Sequence, residues 1–101
     1  MTRRHRRFAL RDVKFAGIDV PDATVDVWED ESGRAQWSAR IVTRHPLAVE
    51  AGELAGHTAD GRMMTGQVVI GARQMGPGGR RETLVEFHGS GELQVAEPER
   101  S

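Results

Sequence analysis

The sequence predicts an all-β fold, a small antiparallel barrel or compact sandwich of about seven strands joined by three-residue hairpin loops, with one short helix near residues 46–51. Three observations predict it. Apolar residues recur at every second position in several stretches, which is the alternation of half-buried strands. Short loops with glycine in third place separate them, at Glu31-Ser32-Gly33, Ala59-Asp60-Gly61 and Gly89-Ser90-Gly91. Glycines within the alternating stretches, Gly56, Gly66 and Gly71, suit bent or bulged strands better than a flat sheet.

Taken in chain order, residues 1–7 form a basic arm, expected to be disordered, and residues 8–96 a single β domain. "FALRDVKF" is the first strand, and its apolar phase changes between Leu10 and Val13, as a bulge requires. "ATVDVW" places Ala23, Val25 and Val27 on one side, and "AQWSARI" does the same with Ala35, Trp37, Ala39 and Ile41. A loop at Glu31-Ser32-Gly33, with Gly33 left-handed, pairs Asp30 with Arg34. That register sets Val27 opposite Trp37, Val25 opposite Ala39 and Ala23 opposite Ile41; a slip of one residue would turn the apolar set outward.

"PLAVEAG" has Pro46 where a helix could begin and Gly52 where it could end, which is the basis for the short helix. In the second hairpin Thr58 pairs with Arg62, and Leu54 and Gly56 share a face with Met64, Gly66, Val68 and Ile70. "RQMGPGGR" is rich in breakers and is read as a flexible link after a strand ending near Ala72. In "RRETLVEFH", Thr83, Val85 and Phe87 face inward, Glu82, Glu86 and His88 face outward, and Leu84 breaks the pattern by facing outward too. The third loop then sets Phe87 opposite Leu93, Val85 opposite Val95 and His88 opposite Glu92. Residues 97–101 are read as a disordered tail.

Composition restricts function. A chain of 101 residues with 38% hydrophobic residues, and with two Trp and three Phe as its aromatics, builds a thin core, for which self-association is a natural supplement. The absence of cysteine excludes disulfides, thiolate nucleophiles and Cys-based metal sites. No apolar run is long enough to span a membrane, and Arg11 and Asp12 interrupt Phe8-Ala9-Leu10 too soon for a signal peptide, so a cytoplasmic protein without membrane contact is expected. The net charge of −1 hides a basic start followed by an acidic run from Asp19 to Glu31.

Most catalytic patterns fail on inspection. The single lysine, Lys14, is not placed for a Walker loop, and "GPGGRR" has Arg81 where a dinucleotide fingerprint needs its third glycine. Arg80 and Arg81 beside Gly78 and Gly79 remain candidate anion contacts. Ser90 has glycines directly adjacent and no strand-to-helix elbow, and His5, His45, His57 and His88 form no metal-binding motif, so no cofactor is expected. Trp28 and Leu84, both outward, are candidate protein contacts. Arg3, Arg4, Arg6 and Arg7 are candidate nucleic-acid contacts. The reading that follows is a small non-enzymatic interaction module that contacts another protein or itself; a nucleic-acid-binding domain using the Arg arm is the alternative, and a hydrolase-like enzyme comes third.

Overall fold

The structure is a computed structural model that describes residues 4–29, 31–76 and 78–96. Among them are eight strands and no helix: β1 Arg4–Phe15, β2 Ile18–Asp19, β3 Ala23–Glu29, β4 Ala35–Thr43, β5 Ala51–His57, β6 Met63–Gly76, β7 Gly79–Gly89 and β8 Gln94–Ala96. All strand pairings are antiparallel and belong to one sheet. The order β1-β3-β4-β7-β6-β5 returns to β1, so six strands form a ring.

The bulge predicted in β1 makes this return possible. Arg4–Leu10 pair with β3, whereas Arg11, Lys14 and Phe15 pair with β5 on the opposite edge, and the register shifts between Arg11 and Lys14. Asp12 takes a positive φ of 52° at that shift. The extra residue bends the strand and lets both Leu10 and Val13 point inward.

The first two hairpins have the predicted registers. Val27 lies opposite Trp37 and Val25 opposite Ala39; Leu54 lies opposite Gly66 and Gly56 opposite Met64. Gly33 and Gly61 have φ of 82° and 87°, the left-handed geometry that closes such loops without a Cβ clash. At the second loop the Thr58 amide donates to the Arg62 carbonyl at 2.8 Å.

Inside the ring, the alternate residues of each strand meet in one apolar core. Phe15 and Phe87 form its centre, tilted at 55° with ring centroids 4.8 Å apart. Leu10, Val25, Ile41, Leu54, Val68 and Val85 pack around them. Each fully buried side chain of this size contributes about 1.5–3 kcal/mol relative to exposure.

Four expectations require correction. Residues 46–51 are not helical: Leu47 and Val49 pack against the core with exposed Ala48 between them, and the Glu50 carbonyl accepts the Ile70 amide at 2.8 Å. That period of two suits extended backbone, and the Glu50 carbonyl is taken by β6. The expected flexible link is largely regular, because β6 continues to Gly76 and pairs with β7 through Met75–Thr83 and Gly76–Gly79. Arg4–Arg7, expected in a disordered arm, lie in β1 opposite Glu29–Asp26; residues 1–3, with Arg3, and residues 97–101 lie outside the described residues.

The fourth correction concerns Gly89-Ser90-Gly91. β7 cannot fold back on the segment after it, because β4 occupies one of its edges and β6 the other. The chain instead makes an excursion at 90–93 and returns to the same edge of β6, where Gln94, Val95 and Ala96 pair with Thr65, Met64 and Met63. Thus β7 and β8 are one interrupted strand along β6. The pairs Phe87–Leu93, Val85–Val95 and His88–Glu92 do not form.

Trp37 explains the excursion. Its indole lies against Gly66 and Gly89, where an added Cβ would overlap the ring, and its Nε1–H donates to the Gly91 carbonyl at 2.8 Å. The Ser90 amide donates to the Gln67 carbonyl at 2.8 Å. These bonds hold the loop against the end of the ring.

Candidate functional site

The outward face of β1, β3, β4 and β7 carries the residues best suited to a function. Its polar half is organised by Asp26, which sits at an outward position of β3 yet is only 4% exposed. His5 Nε2 and Arg7 Nε each lie 2.8 Å from Asp26 Oδ1, and Arg40 Nη2 lies 3.5 Å from Oδ2. The β register delivers these groups: Arg7 is opposite Asp26 on β1, with His5 two residues away on the same side. Burial resists ionisation of Asp26, but hydrogen bonds from Arg7 and His5 and the charges of Arg7 and Arg40 outweigh it and hold the carboxyl below its ordinary range. His5 also stacks on Trp28, with centroids 5.1 Å apart and an interplanar angle of 18°.

Trp28 therefore points outward, as its position in the alternation predicts, but is half-buried beneath His5. Sequence reasoning missed Asp26. The readable signal was an acid in mid-strand with His5 and Arg7 at alternate positions upstream, but treating residues 1–7 as an arm removed the strand that presents them.

The β4–β7 part of this face carries one apolar pair among polar residues. Outward positions on β4 run Gln36, Ser38, Arg40 and Val42, and those on β7 run His88, Glu86, Leu84 and Glu82. Val42 and Leu84 are direct cross-strand partners. Pro21 and Val42 form the wall common to two open depressions of about 400 and 480 Å³, one reaching Ile18 and Leu47 and the other reaching Leu84. An apolar pair is thus set side by side where the other outward positions of β4 and β7 are polar or charged. Arg40 borders both this groove and the Asp26 cleft.

The remaining predicted residues are dispersed. Arg6 and Arg7 lie on opposite sides of β1, because neighbouring strand residues alternate: Arg7 bonds Asp26, while Arg6 lies at the open end of the ring near Phe8 and Val27. Arg4 opens β1, and Arg80 and Arg81 lie at the start of β7, with Arg81 exposed. The turn before them does hold an anion, but it is the chain's own: the Gly78 amide donates to Glu82 Oε2 at 3.0 Å. His88 stands over Gly71, and Ser38 is its neighbour across the β4–β7 ladder.

No protein-family model, curated protein or solved structure matches the chain. The β4–β7 face thus has an apolar groove bordered by the charge cluster at Asp26. No helix among the described residues is long and apolar enough to cross a membrane.

Proposed function

We propose that the protein is a non-enzymatic interaction module that associates with a second copy of itself through the outward face of β4 and β7. One observation carries the reading: Val42 and Leu84 are paired side by side on the solvent side of the sheet, with Pro21 beside Val42, where the same strands otherwise present polar residues. Covering this pair with the same face of a second chain removes apolar surface from water on both partners, and a two-fold contact is self-complementary. Arg40 and Glu86, opposite each other on the next row of the ladder, supply charges of both signs at the border for pairing across the two-fold.

Light scattering over a dilution series tests the proposal. Dimer mass is expected for the native chain, and monomer mass for Leu84→Arg and Val42→Glu with unchanged circular dichroism. A native chain that stays monomeric at every concentration refutes self-association; a dimer unaffected by either substitution refutes this face.

A further inference from the structure

At the end of the ring nearest the β3–β4 loop, six apolar side chains line an open space that nothing among the described residues fills. Phe8, Val27, Trp37, Met64, Leu93 and Val95 line a cavity of about 790 Å³. Val95 marks this space as interior that the described residues leave open. It pairs with buried Met64, and both border the cavity, yet it is 44% exposed. Phe8, Val27 and Leu93 also face the space and are only partly buried.

We propose that this mouth binds an uncharged apolar small molecule. The volume falls within the roughly 300–1,000 Å³ of small-molecule pockets, and mouths of closed β structures are among their usual places. The floor is already built. Trp37 cannot move toward the backbone, since its indole occupies the positions a Cβ would take at Gly66 and Gly89, and its N–H is held by the Gly91 carbonyl at 2.8 Å. Trp37 is itself buried, so the fixed ring closes the base of the space without an ordering cost, and the apolar surface open to a ligand comes from Phe8, Val27, Leu93 and Val95.

The rim decides the charge class of the ligand. Among the described rim residues Arg6 and Arg34 stand with Glu29 and Glu92, two charges of each sign, so these four together favour neither an anionic nor a cationic head group. Selection therefore falls to shape and apolar contact. This site lies on the inner side of the ring, apart from the Val42–Leu84 face, so either proposal can fail without the other.

The test is titration of the full chain with the neutral apolar fluorophore N-phenyl-1-naphthylamine. A saturable rise in emission with one probe per chain is expected. Val95 and Val69 provide a matched pair, 44% and 43% exposed, but Val69 lies between inward Val68 and Ile70 and so faces outward. Val95→Arg, which sets a charge in the mouth, is expected to weaken the probe by about tenfold or more, whereas Val69→Arg should stay within about twofold.

A second measurement needs no variant: octan-1-ol should displace the probe at least as well as octanoate or octylammonium. Three results overturn the proposal: no saturable binding by the native chain, equal losses in the two arginine variants, or displacement by either charged octyl compound about tenfold better than by the alcohol.

Discussion

Of the two glycines flanking Ser90, the loop pattern singles out Gly91 in third place, but the structure makes Gly89 the sensitive one. A methyl group at Gly89 would overlap Trp37 at Nε1, Cε2 and Cδ1, whereas at Gly91 it meets nothing within 4 Å. Relief of the Gly89→Ala overlap requires the indole to move, which costs about 1–3 kcal/mol of overpacking. The movement also strains the 2.8 Å bond from Trp37 to the Gly91 carbonyl, whose loss adds about 1 kcal/mol.

The expected destabilisation is therefore about 2–4 kcal/mol, or a fall in Tm on the order of 10–25 °C for a domain of this size. Gly91→Ala keeps the accepting carbonyl and should change stability by no more than about 0.5 kcal/mol. Thermal unfolding followed by circular dichroism separates the two. Repeating Gly89→Ala in a Trp37→Leu background should recover most of the loss, because the overlapping ring is gone. Equal melting temperatures for the two alanine variants, or an undiminished loss without the indole, would refute the assignment of Trp37 as the reason for Gly89.

Two further predictions concern Asp26. Asp26→Asn should cost about 2 kcal/mol near neutral pH, since two hydrogen bonds from charged or protonatable donors lose their anionic acceptor. Because the folded carboxyl titrates below its ordinary value of 3.8, the stability it supplies is complete above that value and is lost as pH falls through the folded value. The gap between native and Asp26→Asn melting temperatures should thus hold from neutrality to mild acid and then close; a gap that persists in strong acid counts against the charge-based account.

Starting the chain at Phe8 removes the β1 residues opposite Glu29–Asp26, together with His5 and Arg7. A loss of about 3 kcal/mol is expected by denaturant unfolding, whereas deletion of an unattached tail would leave the midpoint unchanged.

The sequence by itself determined those features that close over a few residues. The alternation at Ala23–Val27 and Trp37–Ile41, with Gly33 in the loop, specified one register, because any slip exposes the whole apolar set. The same reasoning held at Leu54–Met64 around Gly61, and the phase change between Leu10 and Val13 located the bulge.

Tertiary structure decided which edges those strands left free. Gly89-Ser90-Gly91 has the composition of the other loops, but β4 and β6 already occupy both edges of β7, so the chain passed on to β6. Arg4–Arg7 read as a tail until β3 supplied the ladder and Asp26 the acceptor. Leu47 and Val49 read as a helical turn until the core took them at alternate positions. A local hairpin is selected by turn geometry and the short loop it must close, whereas distant segments compete for a limited number of backbone edges and core positions. That competition also produced the cluster at Asp26, the Val42–Leu84 pair and the cavity floored by Trp37, whose members come together only when the ring has closed.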